Sequence, residues 1–265
     1  MVKKIIKKVL VVYYTRNYGT LDVVKRALRK SKLVASYAKR ENESVIKRLS
    51  AKVDTVVVVG GDGTLLRASH LIEDTHVLHI SSDTGKNEAF FARATSNDCG
   101  RKIRLLAKGE YKTTSLMRLA ATLNGKKLLF KALNEVYAGS KEPYHTARYT
   151  LIIGNKREEQ KSSGVLVSTP AGSYAWARSA GGQTLPIMAR KIQYIVREPY
   201  TGRLTKPKML KGVLSSGKTV TVVSNIWERH RGIVVIDSYK KEFEFNKGSR
   251  LVVKASRQPL NLIYF

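Results

Sequence analysis

The chain has 265 residues, 43% hydrophobic and 26% charged, and its 49 Lys and Arg against 20 Asp and Glu give a formal net charge of +29. Such a composition excludes a disordered chain, and the length allows two ordinary cores. No apolar run approaches the ~20 residues of a bilayer-spanning helix, and the single cysteine, Cys99, excludes an intrachain disulfide framework and fits a reducing cytoplasm.

The opening MVKKIIKKVLVVYY sets lysines before an apolar stretch, as a secretion signal does. Lysines interrupt the run and no small-residue cleavage site follows, so it reads as a first strand, Val9 to Tyr14. Leu21 to Lys32 reads as a basic helix, Val34 to Ala38 as a strand and Glu43 to Ala51 as a helix. Val56-Val57-Val58-Val59-Gly60-Gly61-Asp62-Gly63-Thr64 follows. Four β-branched residues in a row predict a strand buried on both faces, central in a parallel sheet. Gly60, Gly61 and Gly63 let the backbone approach a ligand, and Leu65, Ala68, Leu71 and Ile72 recur at helical spacing. Free amides at that helix start face an anion. Asp62 repels phosphate unless a divalent cation lies between them or the carboxylate takes a proton from an attacking hydroxyl; a tight turn with a solvated Asp is the plain alternative.

Val77 to Ser81 predicts a further strand, ending at Ser82-Asp83-Thr84-Gly85, and Asn97 to Lys108 a helix closed by Gly109. The alternation argues for a parallel sheet wrapped by helices, with ligands at the carboxyl ends of its strands. After Tyr111 short β segments follow one another: Ser115 to Leu123, Lys127 to Phe130, Thr146 to Ile153, Gly164 to Ser168, Thr219 to Val223, Gly232 to Ile236, Glu242 to Phe245, Arg250 to Lys254 and Leu260 to Tyr264. Asn124-Gly125 marks a hairpin. The predicted architecture is an α/β N-terminal domain with a parallel sheet, residues 1–112, followed by a β-rich, sandwich-like C-terminal domain, residues 113–265.

A second glycine-rich stretch runs SGVLVSTPAGSYAWARSAGG over residues 163–182. Small residues let a flat ligand lie against the backbone, and Tyr174 and Trp176 offer rings to a base; a β-turn with two core aromatics reads equally well. Gly212 to Thr219 spells the P-loop formula, but its context is a polar approach and an alternating β-branched sequel, so a hairpin turn is expected there. His70, His76, His79, His145 and His230 show no metal-ligand spacing, so no residue is assigned to a metal, and no GxSxG element occurs. The positive charge is spread, with 15 basic and four acidic side chains in residues 1–60 and 16 and five in residues 186–265. It attracts polyanions such as nucleotides, polyphosphate or nucleic acid, and also suits a merely solvated surface.

Taken together and in order, GGDGT at 60–64, Leu133-Asn134-Glu135 and the 163–182 stretch resemble the NAD kinase family. The resemblance implies phosphoryl transfer from ATP or polyphosphate, with Mg²⁺ or another divalent cation, to the adenosine-ribose 2′-hydroxyl of NAD, giving NADP. Asp62 would be the general base, with Gly60, Gly61, Gly63 and Thr64 cradling donor phosphates. Asn134 and Glu135 would hold the adenosine part of NAD, Thr84 and Gly85 would line the same cleft, and Ser173, Tyr174, Ala175, Trp176 and Ser179 would line the dinucleotide pocket. A cytoplasmic homo-oligomer, dimer or tetramer, without a membrane role is implied.

The chain also departs from the family pattern. Ser163 replaces an Asp that commonly faces the nicotinamide end, and Ala171-Gly172-Ser173-Tyr174-Ala175-Trp176 replaces Thr-Gly-Ser-Thr-Ala-Tyr. Lys86-Asn87-Glu88-Ala89-Phe90 stands where Leu-Gly-Phe is usual, and Asp237-Ser238 where Asp-Gly is usual. The donor motif is intact and the acceptor pocket altered. Two alternatives remain: a kinase-fold module that binds nucleotide or nucleic acid, and a kinase for another hydroxyl.

Overall fold

The computed structural model describes the chain except residues 1–4, 82–87, 143, 228–229, 238 and 240. The chain forms two compact units, Met1–Leu116 with Gln258–Phe265, and Met117–Arg257. In the first, β1 (Lys8–Tyr13), α1 (Tyr18–Lys30), β2 (Val34–Lys39), α2 (Glu43–Ser50), β3 (Thr55–Val59), α3 (Asp62–Ser69) and β4 (His76–Ser81) alternate; β5 (Ala94–Thr95), α4 (Cys99–Ala107) and β6 (Lys112–Leu116) follow. The strands lie in the order β2-β1-β3-β4, with β5 also on β4, and all of these pairings are parallel.

A parallel sheet joined through helices is covered on both faces, which is why β3 is buried at every position and apolar at all but Thr55. Val57, Val59, Leu78 and Ile80 pack with Leu21, Val24 and Leu28 of α1 and with Ile103 and Leu106 of α4. Val56 and Val58, which point the other way, are equally buried, while α2 lies against β1 and α3 against β3. Gly109, at φ 70, ends α4 in the left-handed region as a helix-closing glycine does.

The second unit is built of β7 (Leu119–Leu123), β8 (Lys126–Ala132), β9 (Glu135–Ser140), β10 (Ala147–Ile153), β11 (Lys156–Ser162), β12 (Gly164–Ser168), the short helix α5 (Trp176–Ser179), β13 (Lys191–Arg197), β14 (Lys211–Ser215), β15 (Thr219–Ser224), β16 (Gly232–Ile236), β17 (Phe243–Glu244) and β18 (Arg250–Ala255). Among the described residues they form two antiparallel sheets, β11-β10-β15-β18-β7-β8 and β14-β13-β12-β9-β16-β17. Asn124 and Gly125 both take positive φ, 50 and 77, and join β7 to β8 as the expected tight hairpin. Finally β19 (Leu260–Tyr264) returns to the first unit, antiparallel to β6 and parallel to β4.

The predicted fold class therefore stands, with local corrections. The single strand expected over Ser115–Leu123 is two, β6 and β7, in different sheets, broken at Met117-Arg118. Arg118 is buried at that break and its carbonyl accepts from the Ser256 amide. The false P-loop is a turn but not a hairpin: β14 pairs with β13, and β15 with β10 and β18, so Ser216-Gly217 carries the chain from one sheet to the other. Reversal is written in the turn residues; the partner of each strand is not. The strand Leu260–Tyr264, read by its pattern among the β-rich segments, belongs to the first unit's sheet, since alternation does not specify the sheet a strand joins.

Candidate active site

In the first unit the site residues sit where β3 ends and α3 begins. Gly60 lies at φ 152, where a Cβ would come within 2.6 Å of Thr64 Oγ1, so only glycine fits the turn. Gly61 is the N-cap of α3 and no side chain caps that helix start. Gly63 faces open space on its Cβ side. Thr64 is buried, and its Oγ1 accepts from Arg40 Nη1 at 3.4 Å.

Asp62 is the first residue of α3, with a side chain 25% exposed. Its Oδ2 accepts from the Phe90 amide at 2.9 Å and its Oδ1 from the Phe91 amide at 3.1 Å, so the carboxylate plane is fixed by backbone donors. His79 of β4 lies fully buried beneath it, with Nδ1 3.9 Å from Asp62 Oδ1. Its Nε2 is 2.9 Å from the Gly60 carbonyl oxygen, which assigns the proton to Nε2. Burial pushes the His79 pKa below the usual imidazole value, against the pull of Asp62, so this ring is neutral near pH 7. Arg93 also feels Asp62; burial lowers its pKa and the carboxylate opposes the shift. His79, Arg40 and Arg93 did not stand out in the sequence. For Arg40 the available signal was its place just after the carboxyl end of a parallel strand. Thr84 and Gly85 lie outside the described residues.

In the second unit Asn134 and Glu135 sit at the entry to β9, both buried. The loop after β12 is laid directly on them. The Thr169 amide donates to the Asn134 carbonyl at 2.9 Å and Thr169 Oγ1 to the Leu133 carbonyl at 2.6 Å. A Cβ on Gly172 would come within 2.2 Å of the Asn134 carbonyl oxygen, so the close approach requires glycine. Ser173 is fully buried and braces its own loop, donating to the Pro170 carbonyl and accepting from the Leu185 amide. Tyr174 and Ser179 are exposed, while Ala175 and Trp176 are half-buried.

Trp176 packs beside Tyr137 of β9, ring centroids 5.3 Å apart, and the Arg197 guanidinium lies 4.8 Å from the centroid of the Trp176 ring. These three and Ser163 border one cavity of about 640 Å³, which Ile233 and Val235 of β16 complete. Gly139 and Gly164, paired across β9 and β12, make room for the Tyr137 ring, whose hydroxyl donates to the Ser163 carbonyl at 2.7 Å.

Asp237, at φ 50 just past β16, was passed over as a site residue. Its Oδ2 accepts from the Leu133 amide and its Oδ1 from the amides of Asn134 and Glu135, all at 2.7–3.0 Å. Burial raises its pKa to about 7 despite those three donors. The Glu135 carboxyl is pushed up to about 8 by burial, with the neighbouring charge of Asp237 adding to the shift. Among the described residues, Asn134 Oδ1 and Glu135 Oε2 are buried without a hydrogen-bond partner. Buried polar atoms are almost always paired, so two neighbouring exceptions mark a place where a ligand's polar groups belong.

An uncapped helix start behind a glycine turn with one oriented carboxylate suits a phosphorylated ligand, a buried Asn-Glu pair with unpartnered atoms in the other unit suits a polar one, and both are features of a kinase that phosphorylates an alcohol. The model of the ATP-NAD kinase N-terminal domain matches residues 2–111 and that of the ATP-NAD kinase C-terminal domain residues 133–265, and the chain belongs to the ATP-NAD kinase family. It is 30% identical over 80% of its length to a probable NADH kinase of Oryza sativa subsp. japonica, covering 71% of that protein. It is 28% identical over 83% of its length to an NAD kinase of Thermoplasma acidophilum, covering 76% of it. The fold is that of an Archaeoglobus fulgidus NAD kinase solved in complex with ATP, with a TM-score of 0.77 at 21% identity over 97% of this chain and 93% of that one. A yeast NADH kinase solved with NADH has a TM-score of 0.80 at 15% identity over 99% of this chain and 84% of that one. NAD kinase activity, with ATP as donor, goes with the family.

Proposed function

We propose that the chain transfers the terminal phosphoryl group of ATP, or of polyphosphate, to the 2′-hydroxyl of the adenosine ribose of NAD. The unpartnered Asn134 Oδ1 and Glu135 Oε2 carry this reading, because the ribose hydroxyls of an adenosine both donate and accept and its exocyclic amine donates, so they can answer both atoms. Asp62 is the general base: it takes the 2′-hydroxyl proton as that oxygen bonds to the terminal phosphorus, and the bond to the ADP oxygen breaks. The Phe90 and Phe91 amides hold the carboxylate for this role, and His79, neutral beneath it, does not compete as a cation. An Asp is a weak base, so orientation and charge neutralisation supply most of the barrier reduction.

No group of three or more His, Cys, Asp or Glu that would hold a metal occurs among the described residues. A Mg²⁺ carried in on the donor phosphates would fit this chemistry by neutralising phosphate charge, leaving Asp62 as the base. Gly61 and Gly63 leave the α3 amides open to those phosphates, and Arg40 adds positive charge at Thr64. A cytoplasmic homo-oligomer belongs to the same proposal, and no helix among the described residues is long and apolar enough to cross a membrane.

A reduced acceptor is a second reading. Ser163 supplies no negative charge for a cationic ring, and the three carboxylates that border its cavity are each ion-paired, Glu198 with Arg197, Glu242 with Lys141 and Glu142 with Arg231. Purified chain with Mg²⁺, ATP or polyphosphate, and NAD or NADH in parallel tests both. Phosphorylated dinucleotide should form well above an Asp62→Ala control; product equal to that control would overturn the proposal.

A further inference from the structure

The sheet β11-β10-β15-β18-β7-β8 has one face that the phosphoryl-transfer chemistry leaves unused. Strand side chains alternate between faces, and directly paired residues share one. The inward set, including Tyr149, Leu151, Val220, Val222, Leu251 and Val253, is buried in the sandwich. The outward set begins with the pairs Arg148–Lys161 and Ile152–Arg157 between β10 and β11. It continues across Val223–Arg250 and Thr219–Lys254 between β15 and β18. It ends with Thr122–Lys127 and Ala120–Lys131 between β7 and β8. The pairs Ile152–Thr221 and Val252–Thr122 link these rows into one surface. Among the described residues of that surface, seven cations stand against one carboxylate, Glu159, which pairs with Thr150.

At the β11 edge the face runs into a cavity of about 530 Å³ where Arg148, Arg157 and Lys161 meet Lys206 and Trp227. Glu158 and Glu159 also border it, and the Glu158 carboxylate is occupied, accepting from the amides of Lys208 and Met209, so four cations there face one further carboxylate, Glu159. Trp227 is 46% exposed, and the Arg148 guanidinium covers its ring at 4.5 Å.

Rows of cations at strand spacing repel one another, so burying this face against a second copy of itself would set like charges together. Its complement is a polymer of regularly spaced negative charge that also brings flat groups for the indole. We propose that this face and its edge cavity bind single-stranded nucleic acid, with phosphates along the cations and a base on Trp227. Inorganic polyphosphate shares the phosphate chemistry but lacks the base, so the two can be told apart.

The test is fluorescence anisotropy of the full chain with a labelled oligo(U) 12-mer over a salt series, and with inorganic polyphosphate as competitor. A site using four or more phosphates gives a log K against log [salt] slope of roughly −3 or steeper, at ~0.7 per phosphate. The triple variant Arg157→Gln, Arg250→Gln, Lys254→Gln should make that slope shallower by about 2 and weaken binding at least tenfold at low salt. A control triple on the first unit, Arg29→Gln, Lys32→Gln, Lys108→Gln, should leave both nearly unchanged. Trp227→Ala should weaken oligonucleotide binding roughly tenfold and leave polyphosphate competition as it was. Retained thermal melting and NAD kinase activity certify each variant's fold, and if the face variant fails to fold, the salt slope of the unaltered chain decides. A slope shallower than about −1 would overturn the proposal, as would equal losses in the control triple, which would reduce the effect to the diffuse +29 field. So would an equal Trp227→Ala effect on polyphosphate, or a face variant that changes the sedimenting mass and not the oligonucleotide affinity.

Discussion

The turn at Gly60–Thr64 and the Asn134-Glu135 corner differ in where their polar groups are answered. In the first unit the carboxylate is satisfied by the protein itself: both Asp62 oxygens take backbone amides and His79 Nε2 holds the Gly60 carbonyl, while His79 Nδ1, 3.9 Å from Asp62 Oδ1, is buried without a hydrogen bond among the described residues. In the second unit the backbone is satisfied, through Asp237 and Thr169, while the side-chain acceptors Asn134 Oδ1 and Glu135 Oε2 stay open. A group that must deprotonate a hydroxyl gains from being held before the substrate arrives, because orientation then costs nothing at the moment of reaction. Groups that must grip a nucleoside gain from being left open, because an unpaired buried acceptor penalises any ligand without a donor in the right place.

The sharpest way to break this contrast is Asp62→Asn. If Asp62 acts as the base, kcat falls by about 10²- to 10⁴-fold while the NAD KM stays within about threefold. A rise in KM at preserved kcat would instead make Asp62 a binding residue. Asp237→Asn comes next. An amide accepts at one oxygen only, so one or more of the Leu133, Asn134 and Glu135 amides loses its acceptor, at about 1–3 kcal/mol for each buried group left unmade. Denaturant unfolding should register that loss, and steady-state kinetics should show the NAD KM rising about tenfold, more than kcat falls.

Gly63→Ala separates stability from activity in the first unit. An added Cβ there meets nothing within 4 Å, and Ala is favoured over Gly inside a helix by about 1 kcal/mol, so the melting temperature should hold or rise slightly. If donor phosphates pass over that open space, the ATP KM rises several-fold. An unchanged KM would place the phosphates elsewhere.

The first unit was the more legible because its sequence carries its reasons locally. A valine run covered on both faces, a glycine at φ 152 and a carboxylate on the next helix lie within one stretch of chain. What pattern did not give was His79, which reads as an ordinary strand residue until β3 and β4 are paired and Val58 falls opposite it. In the second unit β9, β11, β13 and β14 were missed, the first two because Glu135–Ser140 is short and rich in small residues and Lys156–Ser162 is an edge strand of mostly polar residues. Asp237 lies about a hundred residues from the amides it fixes, so its role exists only in the folded chain. The tyrosine and tryptophan of the 163–182 stretch were read together but part company: Tyr174 is exposed, and Trp176 packs on Tyr137.

Glu135→Gln gives the smallest effect and tests the open corner most directly. Its carboxyl titrates near about 8 in the folded chain, against about 4.3 in the unfolded one. Between those values the folded state keeps a proton that the unfolded state has released, so stability falls as pH rises through that window and levels off above it. Asp237, raised to about 7, acts in the same direction over a narrower range. Glutamine keeps the shape and removes the titration, so the variant's melting temperature should fall less between pH 5 and pH 8 than that of the unaltered chain. Glutamine offers one acceptor oxygen and a donor, as the protonated carboxyl does, so its kcat/KM for NAD should fall below the parent's mainly above a pH of about 8, where the parent's carboxylate accepts at both oxygens. A variant with the same pH slope as its parent would mean that Glu135 is ionised in the fold, and that its open oxygen awaits a cation and not a hydroxyl.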